Sequence, residues 1–242
     1  MHSLDVDLFH YLNELVARSP AMFESALEWT DRAPWVIAAL LFVAFWFYGR
    51  PGVLATEAVT RPRVHNRRVL ILVLIGMWGM AIAGPPLRHL LDRPRPLVSE
   101  TLDAPVEPDT WVEIRATYDD RPSFPSVPAL VFFVLATGLF ALNAAAGIGS
   151  ALLFALLLAL EVGLGLAWPS DVVSGACIGF LWAVGLLRIE PWVRHPLTRI
   201  VLLFEHNSAP MYVAGFFVLL DLSYRFAAIS YVLRVMAGYG IR

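Results

Sequence analysis

Ser123-Phe-Pro-Ser-Val-Pro-Ala129 stands directly before an apolar run that reaches to about residue 146. A serine ahead of an unbroken apolar stretch is the local pattern of a helix start. Ser126 can cap the free amides of a first turn, and Pro128 falls where a helix needs no backbone donor. The run is long enough to cross a bilayer, so the stretch reads as the entrance to a membrane helix.

The rest of the chain reads the same way. It has 242 residues, 58% hydrophobic and 16% charged, with a mean hydropathy of +0.66. That is more apolar surface than one soluble core of this size needs, and lipid is the solvent that accommodates it. A first span is expected at 33–49, with Trp35 and Trp46 near its ends as interfacial aromatics. The second covers 69–84, the third 126–146, the fourth about 148–166 and the fifth about 170–187. Ala-Ala-Gly-Ile-Gly, ending at Gly149, reads as the link between the third and fourth. Beyond residue 200 the apolar sequence carries Asp221 and Arg225, and fits one long tilted helix or two short ones. Residues 4–18 place Leu4, Leu8, Leu12 and Leu15 on one helical face with acids on the other, as in a helix lying at a membrane interface. A second short helix is expected at about 20–31. The fold class is therefore all-α, a polytopic bundle of about six spans with an N-terminal interfacial helix.

Charge sets the orientation. The segments 50–68 and 188–199 are rich in arginine and are expected on the cytoplasmic side. The stretch 97–125 carries seven acids against two arginines and belongs on the other side. Composition also excludes functions. With a net charge of −2, no global basic balance points to nucleic acid. The single cysteine, Cys177, lies in an apolar run and supports neither a disulfide framework nor a metal cluster. No cofactor or metal is expected. All basic residues are arginine, a compositional trait of GC-rich coding. The first 30 residues contain five acids and no basic segment ahead of an apolar core, so no cleavable signal is expected.

Three polar segments flank the spans on the non-cytoplasmic face: Arg88 to Pro96, Ser123 to Ala129, and Glu161 to Gly175. Their order, spacing and position at helix ends resemble the type 2 phosphatidic-acid phosphatase superfamily. The layout of the first 90 residues is similar to its bacterial undecaprenyl-diphosphatase branch. The resemblance covers about residues 4–190, which implies a phosphatase-like membrane domain over 1–190 and an additional helical segment over 191–242. It also implies a multi-pass protein of the bacterial inner membrane with its site on the periplasmic or extracellular face.

That family hydrolyses phosphoesters through a phosphohistidine, without metal, using Lys-x6-Arg-Pro, Pro-Ser-Gly-His and Ser-Arg-x5-His-x3-Asp. Here Arg88 stands at the lysine position, and Arg95 and Pro96 match. Pro125 and Ser126 match the second motif, but Val127 replaces its glycine and Pro128 its acid histidine. Asp171 matches the third, where Ala167 replaces the nucleophile, Glu161 the arginine and Leu160 the serine. Alanine has no nucleophilic atom, proline has no proton to give, and glutamate repels phosphate. Removing only a nucleophile costs a covalent mechanism on the order of a million-fold.

The leading reading is a catalytically inactive member serving as a scaffold or subunit of a membrane assembly, in contact with phospholipid or polyprenyl lipid and with protein partners. Two alternatives stay open: a lipid phosphatase with a displaced nucleophile, and a carrier that binds a lipid phosphate without cleaving it. His89 is the leading replacement nucleophile, with His10 and His206 weaker; His65 and His195 are expected on the cytoplasmic side. A carboxylate in an apolar span needs a cation, so Glu161 is expected to pair with Arg88 or Arg95 and take the place of the missing phosphate.

Overall fold

The computed structural model describes residues 3–47, 60–88, 92–99, 112, 114–116, 122–206 and 208–224. The described elements are all helical. They are α1 (Ser3–Val16), α2 (Pro20–Phe47), α3 (Thr60–Arg88), α4 (Pro96–Ser99), α5 (Val127–Leu142), α6 (Ala144–Gly163), α7 (Pro169–His206) and α8 (Ser208–Ser223). Among the described residues four helices are long and apolar enough to cross a membrane: α2, α3, α6 and α7. The shorter apolar helices α5 and α8 bring the total to six, so the chain is a polytopic all-α membrane protein. His89, Arg225 and most of the acidic stretch lie outside the described residues.

The bundle is built around α5. Its sequence is apolar on every side, the pattern of a helix enclosed by protein. Ten of its sixteen residues are buried. It packs against α3, α6 and α7, and only Phe140, at the last turn, is an exposed large side chain. A helix of this length is short for a bilayer, but as the core of a bundle it need not reach both surfaces. Phe132 stacks on Phe154 of α6 at 4.7 Å and meets Trp35 of α2 edge-on at 4.8 Å.

Small residues set the distances between these helices. A Cβ at Gly175 of α7 would stand 2.6 Å from the Ser126 carbonyl oxygen, and one at Gly179 would strike the Leu130 backbone. The glycines recur every four residues because one face of α7 lies directly on the α5 main chain. At the tight corner between α5 and α6, Asn143 serves both helices. Its amide bonds to the Leu139 carbonyl, and its side chain accepts from the Ala146 amide at 3.0 Å.

Several boundaries differ from the sequence reading, and α3 itself starts at Thr60, inside the arginine-rich segment 50–68. The expected short helix and first span are one continuous helix, α2, which runs through Pro34. Proline removes one backbone bond, but its ring is buried among neighbours here, and membrane helices tolerate such a residue when packing supplies the rest. Ala-Ala-Gly-Ile-Gly is not a link but lies in the first turns of α6, because Asn143 makes the corner alone. The stretch 188–199, expected beyond the end of the fifth span for its arginines, continues that helix. Pro191 and Pro196 interrupt its amide ladder, while Leu197 and Val201 are buried and hold it down.

The two arginine-rich segments do meet at one end of the bundle. Arg68 lies 3.0 Å from Glu190 and donates to Thr198 at 3.3 Å. Arg67, buried against the Trp46 ring, reaches Glu205 at 3.4 Å. The three motif segments lie at the opposite end.

The close contact at Gly179 gives a direct check. Gly179→Val should destabilise the purified protein by about 2 kcal/mol, as overpacking does. Gly185→Ala, where an added Cβ meets nothing within 4 Å, should leave the thermal midpoint unchanged. Equal midpoints for the two variants would contradict the packing described.

Candidate functional site

Helix starts and ends bring the motif residues together. Ser126 caps α5, accepting from the Ala129 amide at 3.4 Å, and its amide donates to the Asp171 carbonyl at 3.2 Å. The second motif is thereby tied to the first turn of α7. Val127 and Pro128 form the first turn of α5 itself, where a proline costs no hydrogen bond. Glu161 sits in the last turns of α6 and is buried, and its carboxylate accepts from the Ser126 hydroxyl at 3.4 Å. The α6 helix then ends in a turn through Gly165, whose positive φ of 74° suits glycine.

Arginines of the first motif close on this turn. Arg95 is buried and its guanidinium donates to the Leu166 carbonyl; the Leu166 amide in turn donates to the Glu161 carbonyl at 3.0 Å. Pro96 starts α4, and the Leu97 amide bonds to the Gly165 carbonyl at 2.9 Å. Arg88, at the end of α3, donates to the Pro125 carbonyl at 3.5 Å. Ala167 is buried just before α7. The positions read from sequence as remnants of one site therefore converge.

The strongest electrostatic feature joins Asp171 to Arg93, Asp5 and Ser170, which the sequence reading did not single out as site residues. Asp171 is fully buried in the first turn of α7. One carboxylate oxygen accepts from Arg93 at 2.7 Å, and the other from the Trp168 amide at 3.1 Å. The same Arg93 donates to Asp5 of α1 at 2.9 Å and to the Ser170 hydroxyl at 2.7 Å, and lies over the Trp168 ring at 5.0 Å. Asp5 also accepts from the Ser170 amide at 3.0 Å and hydroxyl at 2.6 Å. One guanidinium thus joins the loop before α4, the start of α7 and α1.

Helix α1 is laid across this end of the bundle. Phe9 is buried edge-on against Trp168 at 5.7 Å, and Asn13 donates to the Gly163 carbonyl at 2.9 Å. Leu4, Leu8 and Tyr11 are exposed on the outer side, the face that an interfacial helix offers to lipid. The acids do not all share the polar face: Asp7 and Glu14 are exposed while Asp5 points into the cluster.

The histidines are scattered. His10 is exposed on α1, and His65, His195 and His206 belong to the far end. His206 closes α7, more than thirty residues along it from Asp171. Among the described residues no group of acids, histidines and cysteine is placed to hold a metal.

The described residues thus form a helical membrane bundle with three polar motifs converging at one end. The family model of the PAP2 superfamily matches residues 67–195, more than half the chain, and the chain belongs to that superfamily. The match runs from α3 into α7, so α1, α2 and α8 lie outside it. No curated protein and no solved structure matches the chain.

The cluster makes two predictions. Removing the cation leaves Asp171 buried without its partner, so Arg93→Gln should cost about 3 kcal/mol in thermal or denaturant unfolding. Adding Asp171→Asn should recover part of that loss. The second concerns acid. Burial pushes the Asp5 carboxyl up, but hydrogen bonds from Ser170 and Arg93 outweigh it and hold it below the ordinary aspartate range. Its folded form is more acidic than its unfolded form, so its contribution is complete above the unfolded value, about 3.9, and disappears as pH falls through the folded one. The Asp5→Asn variant should be less stable than the parent at neutral pH, and the gap should narrow on acidification below about pH 4.

Proposed function

We propose that the protein is a catalytically inactive member of the PAP2 superfamily, kept as a folded scaffold or subunit of a membrane assembly. One observation carries this reading. Asp171, which in the family pattern orients the nucleophilic histidine, has its carboxylate bound by Arg93 and the Trp168 amide, with a methyl group at Ala167 where that histidine would stand. An aspartate so engaged has no imidazole to hold. Pro128 and Glu161 support the same reading, since one cannot protonate a leaving oxygen and the other opposes a phosphoryl group.

The pairing of Glu161 belongs to this proposal. Its carboxylate stands in charge terms where a phosphate would bind, with Arg95 or Arg88 as its cation. The polypeptide over 1–190 forms the family-like unit, extended by 191–242. The protein sits in the bacterial plasma membrane with the remnant site facing outward, in contact with phospholipid or polyprenyl lipid.

The test is phosphate release from diacylglycerol pyrophosphate and undecaprenyl diphosphate by the purified protein in detergent. No release above a blank without protein is expected. Turnover that vanished in His89→Ala would overturn the proposal in favour of a displaced nucleophile. For the ion pair, Glu161→Gln should lower the thermal midpoint by an amount worth several kcal/mol, and the Glu161→Gln, Arg95→Gln double variant should regain part of it. A double variant no better than the sum of the singles would remove the pairing from the proposal.

A further inference from the structure

At the end of the bundle away from the motifs, α7 continues as a helix with an unusual outer face. Arg188, Trp192, His195, Arg199 and Leu202 follow one another at spacings of four and three, so they form one stripe along the helix. All five are exposed, and Trp192 is 82% exposed. Beside the stripe an open cavity of about 520 Å³ is lined by Arg68, Arg194, His195, Thr198 and Arg199.

The cavity carries uncompensated positive charge. Arg68 is neutralised by Glu190 at 3.0 Å, and the nearby Glu205 is engaged with Arg67. Arg194 and Arg199 form no ion pair among the described residues. The exposed tryptophan between cations makes poor sense in bulk water. It fits the headgroup layer of a bilayer, where an indole buries its apolar ring and keeps its N–H wet. Buried Leu197 and Val201 hold this part of α7 against the bundle, so the stripe is presented on a fixed support.

We propose that this cavity binds the phosphate headgroup of an anionic phospholipid from the adjacent leaflet. Arg194 and Arg199 supply the charge, Thr198, bonded to the Arg194 carbonyl at 2.7 Å and to Arg68 at 3.3 Å, ties the lining together, and Trp192 and Leu202 rest in the interfacial layer. Arginine suits the role because its planar fork presents paired donors to phosphate oxygens. The site is separate from the motif residues and does not depend on whether those are catalytic.

Native mass spectrometry of the detergent-purified protein, titrated with equal phosphatidylglycerol and phosphatidylcholine, reads the preference directly. Retention should favour phosphatidylglycerol. The Arg194→Gln, Arg199→Gln variant should reduce that preference by roughly 30-fold, the effect of two interfacial arginines. Each single variant should give an intermediate loss, which keeps the test readable if the double variant is poorly folded. Arg18→Gln, an exposed arginine at the opposite end, should change nothing. An unchanged preference in the arginine variants, or an equal loss in Arg18→Gln, would overturn the proposal. So would displacement of the lipid by millimolar inorganic phosphate, which would assign the cavity to a soluble anion instead.

Discussion

A carboxylate with no contact to water is costly unless a cation and directed donors surround it. Asp171 is such a group, and one end of the molecule is organised by the need to accommodate it. Arg93 supplies the charge and the Trp168 amide the second donor. Because a guanidinium has five N–H groups in a rigid plane, Arg93 has donors left after Asp171 is satisfied. They reach Asp5 and Ser170, and the cation also covers the Trp168 ring. The cost of one buried charge is thereby offset by contacts that fix the relative positions of three separate segments.

The remaining polar groups at this end follow a similar rule at lower charge. The Ser126 hydroxyl joins the α5 cap to Glu161, and Ser123 donates through its amide and hydroxyl to the Arg93 carbonyl at 2.8 and 3.1 Å. Trp168 Nε1 donates to the Pro94 carbonyl at 2.9 Å. Backbone carbonyls of the short proline-rich segments, which have no ladder of their own, are met by side chains from the helix ends. Below this layer polarity falls away. There the glycine face of α7 against α5 and the stacked Phe132 and Phe154 hold the middle of the bundle by close packing.

The all-helical class, the apolar spans and the end at which the motifs gather were legible because apolar run length and helix-start chemistry are local properties. The two arginine-rich segments were legible as neighbours through charge asymmetry, and Arg68 does meet Glu190. Helix ends were less legible. Pro34, Pro191 and Pro196 are breakers by local chemistry, and tertiary burial around them overrides that preference. The cluster on Arg93 was not legible at all. Asp5 and Ser170 are 165 residues apart, and Asp5 sits among other acids of an amphipathic helix with nothing local to mark it as the inward one. Arg93 likewise lay inside a motif whose recognised members were Arg88, Arg95 and Pro96.

The same separation has a bearing on how the molecule is assembled. Helix α1 precedes α6 and α7 in the chain, yet its partners Gly163, Trp168 and Ser170 belong to their ends and the turn between them. Before α6 and α7 are made, Asn13 and Phe9 lack Gly163 and Trp168 and Asp5 can reach only Arg93, so α1 rests at the bilayer surface on its exposed leucines. Its seating is therefore a late step of biogenesis, completed only after the spans that it covers are in place. An amphipathic helix suits that order: it is stable enough at the interface to persist, and is not committed to crossing it.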